Sequence, residues 1–285
     1  MHRLLVDHRN ITQTKLEEVA PAPLSDGQAR LKLESFALTA NNVTYAASGF
    51  AIGYWKFFPT GQDGLGLVPV WGVAEVAESA SDDLAVGTRL YGYYPMAEEL
   101  VITPKADAHG SILDAAPHRK ELPLIYNQYV PVHGGTAEQD HLRAILQPLL
   151  ATSYLLFDWL MDNDWFGAEQ IIIGSASSKT GLGLCKYLAE PERRPYKIVG
   201  LTSERNRAFV EGLGACDQVL SYDEVSNLAQ VSSVYVDMAG NTEVKAALHS
   251  HLADHLRHSA AVGLSHWDKF EQTQDLAGPK PVFFF

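Results

Sequence analysis

Ile171-Ile172-Ile173-Gly174-Ser175-Ala176-Ser177-Ser178-Lys179-Thr180-Gly181-Leu182-Gly183 decides how this chain of 285 residues is read. Three isoleucines make a buried-strand signal, small residues follow, and a helix begins. Small side chains let a pyrophosphate approach the backbone, and a helix N-terminus offers free N–H groups and a positive dipole end. Lys179 adds a charge; Ser175, Ser177, Ser178 and Thr180 add hydroxyl donors, while Gly181 and Gly183 keep the turn open. The spacing departs from G-x-G-x-x-G, so the motif alone does not separate a phosphate cradle from a plain tight turn. The context does, because strands and helices alternate on both sides of it.

Downstream, Lys197 to Leu201 reads as a second strand, and Glu204 to Leu213 as a helix capped by Ser203. Strands Gln218 to Leu220 and Ser233 to Asp237, helix Glu243 to Leu256, and strands His258 to Gly263 and Pro281 to Phe285 complete the pattern. Alternating strands and helices predict a parallel, doubly wound sheet. Upstream, Ala29 to Phe36, Pro69 to Glu78, Thr88 to Tyr94 and Glu98 to Thr103 are short strand-like runs separated by turn residues. They predict a β-rich barrel or sandwich. Between the halves, His141 to Leu160 has helical spacing, with Pro148 expected to break or kink it. The closing Pro-Val-Phe-Phe-Phe is apolar enough to predict either an inner or intersubunit strand or a lost C-terminal segment past Phe285, and the second is favoured.

In an NAD site an acid about 20 residues past the glycines takes the ribose hydroxyls. Here the second strand ends at Thr202-Ser203 without one, and Glu204 falls in a first helical turn, where the dipole explains it. Hydroxyls with Arg205 and Arg207 nearby favour a 2′-phosphate, hence NADP(H). Asn206 and Tyr222 join the candidate cofactor residues.

The formal net charge of −12 argues against nucleic acid, and the basic run His118-Arg119-Lys120 is too short to reverse that. Met1 to Asn10 has no apolar core of a secretory signal, and Ala144 to Leu160 is interrupted by Gln147, Pro148 and Asp158, which argues against a membrane span. Two cysteines, Cys185 and Cys216, suit a reducing, cytoplasmic setting and cannot make a disulfide framework. Cys185 reads as a packed helix residue and Cys216 as a loop or strand-edge one. His249, His251, His255 and His258 read as surface histidines on a helix rather than metal ligands, so no metal is expected.

Several stretches resemble the medium-chain dehydrogenase/reductase superfamily. "ARLKLESFALTANNVTYAASG" (29–49) resembles the opening of its GroES-like domain, and "PVWGVAEVAESASDDLAVGTRLYGYYPMAEELVITP" (69–104) its glycine turn and following strands. "LLATSYLLFDWL" (149–160) is similar to its interdomain helix; "GLGACDQVLSYDEV" and "VYVDMAGN" resemble later Rossmann stretches. By pattern the chain looks like the zinc-free quinone oxidoreductases and enoyl reductases, in a branch of unknown function. The resemblance implies a GroES-like substrate domain over 1–140, a Rossmann domain over 141–285, and an NADP(H)-dependent reductase. It departs at Ser178-Lys179-Thr180, where relatives often carry a glycine pair, and in stopping before a segment that returns to the first domain. The first domain lacks cysteine, which excludes a Cys-ligated zinc there.

A reductase without zinc needs side chains to polarise the substrate oxygen. Asn41, Asn42 and Tyr45 lie where relatives carry pocket residues, and Tyr54 follows on an aromatic loop. For Tyr45 and Tyr54 pocket and core readings stay balanced; Phe57 and Phe58 read as core. The expected partners are a small-molecule substrate, an α,β-unsaturated carbonyl or quinone, and a second copy of the chain in a homodimer. The competing expectations are a nicotinamide-binding protein without turnover and an accessory reductase working with a partner enzyme.

Overall fold

The computed structural model describes residues 1–263 and 276–284. It divides into two compact units, Met1–Gln147 and Pro148–Phe285.

The first unit is β-rich. A seven-stranded sheet runs in the order Glu99–Ile102, Ala29–Ala37, Pro69–Ser79, Arg89–Pro95, Gln128–Pro131, Ile112–Asp114, Pro104–Ala106. A three-stranded sheet of Thr14–Glu18, His2–Asp7 and Leu65–Leu67 accompanies it. The central strands pair antiparallel, and their inward residues Leu31, Val70, Ala74, Leu90 and Ile102 make one core. Phe57 and Phe58 are core residues of a second, aromatic cluster, as expected. The short basic run is not a surface charge patch. Arg119 is buried, 3.0 Å from the Asp114 carboxylate, with the Phe58 ring beneath its guanidinium. A buried pair of this kind costs several kcal/mol if one partner is removed, roughly 3–5.

The second unit carries a six-stranded parallel sheet in the order Gln218–Ser221, Lys197–Thr202, Gln170–Gly174, Ser233–Asp237, Leu256–Ala261, Val282–Phe283. Counting along the chain, the sheet reads third, second, first, fourth, fifth, sixth, which is the doubly wound order. Ile171, Ile172 and Ile173 are all fully buried because both sheet faces are covered, which explains a run without alternation. The order reverses between Gln170–Gly174 and Ser233–Asp237, where Gly174 faces Asp237 in register.

Four expectations are corrected. Helix Ala137–Asp162 runs through Pro148 without breaking. Proline removes one backbone donor, and burial of Ser153, Leu156 and Leu160 in the second unit holds the turns that follow. By length and composition this helix meets the criterion for a membrane span, yet those residues lie in a protein core. Ser203 makes no capping bond; its helix starts as a 3₁₀ turn, Glu204–Asn206, before Arg207–Gly212. His249 is not a surface residue: it is fully buried between the Ala277 carbonyl and the Ser259 hydroxyl. The terminal strand is Val282–Phe283, paired parallel to Leu256–Ala261 as the last strand of the sheet among the described residues, and substantially exposed rather than buried; Phe285 lies outside the described residues.

Candidate functional site

The loop after Gln170–Gly174 turns through Ser175, whose φ of 55° is left-handed. A serine there bears a strain of roughly 1–2 kcal/mol that glycine would not. Tyr222 hydrogen-bonds Ser175, which draws the phenol down, though burial raises it overall. Helix Lys179–Ala189 follows, with the Ser178 hydroxyl accepting from the Gly181 amide at 3.1 Å. The amides of Lys179 and Thr180 lie in the first turn, where no intrahelical carbonyl reaches them. Gly181 is a close approach: a Cβ there would stand 2.5 Å from the Ser175 carbonyl oxygen. Gly183 serves packing, since a Cβ would meet the Ser153 hydroxyl at 2.6 Å.

At the next strand end, Thr202 and Asn206 both donate to the Ser177 hydroxyl, at 2.9 and 3.2 Å. The fold thus joins three of the sequence-predicted residues, and Ser177 becomes the hub of the loop. The Ser203 hydroxyl is buried beside them without a hydrogen-bond partner among the described residues. Arg207 is neutralised by Glu204, Glu211 and Glu224, while exposed Arg205 makes no ion pair among the described residues. An orphaned hydroxyl, an uncompensated guanidinium and no acid fit a phosphorylated ribose better than a free diol.

Two residues of this crevice escaped the sequence reading. Asp237 ends the strand beside Gly174, buried, with Oδ1 accepting from the amides of Ala239 and Gly240 at 3.0 and 2.9 Å. Burial pushes its carboxyl up, against the pull of those amides, of Lys245 and of the Tyr235 hydroxyl. The Tyr235 hydroxyl lies 2.8 Å from where a Gly174 Cβ would stand, which keeps that position glycine. The stretch "VYVDMAGN" contains both, and its strand-final acid at the point of sheet reversal is the signal that could have marked them.

In the first unit, helix Ala40–Ala47 carries three candidates. Asn42 works for the fold: its side chain accepts from the Thr39 amide and donates to the Pro69 carbonyl, both within 2.8 Å. Asn41 and Tyr45 are joined, the amide donating to the phenol oxygen at 2.6 Å. Trp71, which sequence reasoning missed, donates to the same oxygen at 3.0 Å. The Tyr54 ring packs tilted at 4.5 Å from the Tyr45 ring, and its hydroxyl shares a hydrogen bond of 3.1 Å with the Tyr126 hydroxyl. Tyr45 and Tyr54 are 3% and 5% exposed, and burial pushes both phenols well above their ordinary range. A separate cavity of about 740 Å³ in this unit is lined by Leu4, Phe36, Leu38, Met96 and Ile145, and by neither tyrosine. Among the described residues no three His, Cys, Asp or Glu side chains gather as a metal site.

Solved structures share this fold. CurA from Vibrio vulnificus, in complex with NADPH, superposes with a TM-score of 0.64 at 12% identity, covering 100% of this chain and 82% of its own. The quinone oxidoreductase from Coxiella burnetii gives 0.52 at 18% identity, over 92% of this chain and 75% of its own. A mutant enoyl thioester reductase from Candida tropicalis gives 0.53 at 12% identity, over 100% and 81%. At these identities the likeness concerns architecture: a GroES-like domain followed by a Rossmann domain, as in medium-chain dehydrogenase/reductases. No curated protein matches the sequence. The model of one protein family, described as a protein of unknown function (DUF2855), matches residues 36–285, and with most of its length matched the chain belongs to that family.

Proposed function

We propose that this protein is an NADP(H)-dependent, zinc-free reductase of an α,β-unsaturated carbonyl or quinone-like substrate, acting as a homodimer. The observation that carries the cofactor choice is the strand end at Thr202-Ser203, with its orphaned Ser203 hydroxyl, uncompensated Arg205 and no carboxylate. The first-turn amides of helix Lys179–Ala189, with Lys179 and the Ser177 hydroxyl, bind the pyrophosphate. Bound nicotinamide supplies a hydride. In the first unit, Asn41 and Trp71 polarise the Tyr45 hydroxyl, which holds the substrate oxygen as charge develops on it. CurA, solved with NADPH, and the quinone and enoyl thioester reductases of the same fold support this reading by analogy.

A second reading has its own support. Both tyrosine hydroxyls are already hydrogen-bonded in the core, Tyr45 by Asn41 and Trp71 and Tyr54 by Tyr126, which suits a nucleotide-binding protein without turnover. Two measurements on one preparation separate the readings. Calorimetric titration should show NADPH binding more tightly than NADH; equal or reversed affinities overturn the cofactor assignment. NADPH oxidation against a panel of enones and quinones should then proceed, whereas saturable binding with no oxidation favours the second reading.

A further inference from the structure

Cys185 and Cys216 lie 31 positions apart in sequence, and the fold brings their sulfurs to a shared hydrogen bond of 3.6 Å. They are the chain's two cysteines. Cys185 sits inside helix Lys179–Ala189, facing the core, and Cys216 lies half-buried just before strand Gln218–Ser221. Their surroundings differ in charge. The Cys185 thiol lowers Cys216, and Arg194 and Lys186 lower it further, against burial and the Asp217 carboxylate. Lys186 is anchored on the Leu213 carbonyl at 2.7 Å and Arg194 on Asp217, so both cations stay near the sulfur. Cys185 moves the other way, raised by Cys216 and by burial, and so stays a thiol. Gly200 underlies the pair: a Cβ there would stand 3.0 Å from the Cys216 sulfur, so its absence leaves that side chain room to turn.

We propose that Cys185 and Cys216 are a reversible thiol–disulfide pair oxidised by hydrogen peroxide, with Cys216 the sulfur that reacts first. The Cys216 thiolate attacks one peroxide oxygen, the O–O bond breaks, and the departing hydroxide takes a proton to leave as water. Cys216 is then a sulfenic acid. Cys185 attacks its sulfur, an S–S bond forms, the S–O bond breaks, and the hydroxide leaves with the Cys185 proton as a second water. Two thiols have lost two electrons and two protons, and one peroxide has become two waters. The sulfurs must close from 3.6 Å to about 2.05 Å, and both lie in the same compact unit. A thiolate with a second thiol already in contact is the arrangement expected of a reversible oxidation site, since resolution competes with further oxidation. The bridge fastens the helix that opens at Ser178 to the start of strand Gln218–Ser221, and it stands whether or not the proposed cofactor binds.

The test uses the intact protein treated with equimolar hydrogen peroxide, then alkylated after denaturation and mapped by mass spectrometry. A peptide pair joined through Cys185 and Cys216, a mass lower by two hydrogens and full reversal by dithiothreitol are expected. Cys185→Ala should stop at a Cys216 sulfenic acid captured by dimedone, whereas Cys216→Ala should leave Cys185 unmodified at the same dose. Two alkylatable thiols persisting in the wild type overturn the proposal, as does a bridge between chains instead of within one. Equal dimedone capture in the two variants overturns the assignment of Cys216 as the first sulfur. The wild-type map needs no substitution, so a poorly folding variant does not shelter the idea.

Discussion

Tyr45 accepts two hydrogen bonds on one phenol oxygen, and that arrangement makes Tyr45→Phe informative at two levels. Losing the hydroxyl strands the indole N–H of Trp71, which has no other acceptor among the described residues, so stability should fall by about 1–3 kcal/mol. If the hydroxyl also holds the substrate oxygen, single-turnover NADPH oxidation should slow roughly 100-fold while NADPH affinity stays unchanged. Urea denaturation measures the first effect and rapid kinetics the second. Lost stability with unchanged turnover would make Tyr45 a packing residue and pass the role to Asn41 or Tyr54. The segment "TANNVTYA" pointed to Asn41 and Tyr45 because they share one short helix. Trp71 stayed hidden because it arrives from a strand 26 positions away, and Tyr126 because it meets Tyr54 across 72. Apolar periodicity locates elements; it carries no information on which distant side chains meet.

Between helix and sheet in the second unit, Asp164, Trp165, Phe166 and Gly167 form a single left-handed turn, with φ values of 49°, 53°, 55° and 64°. Non-glycine residues resist this conformation by roughly 1–2 kcal/mol each, so packing has to impose it. The Trp165 ring lies 4.7 Å from Tyr196, and Phe166 stacks on His258 at 4.3 Å. Gly167→Ala tests the turn cleanly, because a Cβ there meets nothing within 4 Å and any effect is conformational. The variant should lose about 1–2 kcal/mol, seen as a lower urea midpoint at an unchanged m-value. An unaltered midpoint would mean that the turn relaxes freely. Nothing in "DNDWFG" announces a left-handed turn, for it depends on rings meeting across the fold. The strands around it were legible for the opposite reason: Ile171 to Ile173 and Ser233 to Asp237 are local apolar runs with turn residues at their ends. Helix Ala137–Asp162 does not break at Pro148 because tertiary burial outweighs local propensity there.

At the scale of the whole molecule, buried His249 and part-buried His258 and His8 set the response to mild acid. Burial lowers the pKa of His249, His258 and His8 below the ordinary 6.5. An unfolded chain therefore binds more protons than the folded one just below pH 6.5, so stability is full above that value and falls as pH drops through it. The carboxylates Glu17, Glu98 and Glu224, whose pKa values are lowered, lose their contribution only at lower pH. Tm should decline between pH 7 and 5, and His249→Gln should flatten that decline; an unchanged slope would clear His249 of the effect. Association is the remaining question at this scale. Among the described residues strand Val282–Phe283 is the last of the parallel sheet, paired to Ala260 and Ala261, with Val282 53% exposed. Exposed apolar side chains such as Val282 invite association with another chain, and a two-fold axis closes such a contact after a single partner. Light scattering at micromolar concentration should give a dimer for the wild type and a monomer for Val282→Lys, whose ammonium would have to be desolvated at the junction. A monomeric wild type, or a variant that still dimerises, would move the interface away from this strand, with the exposed Tyr154, Leu155 and Met161 of the long helix as the next apolar surface to substitute.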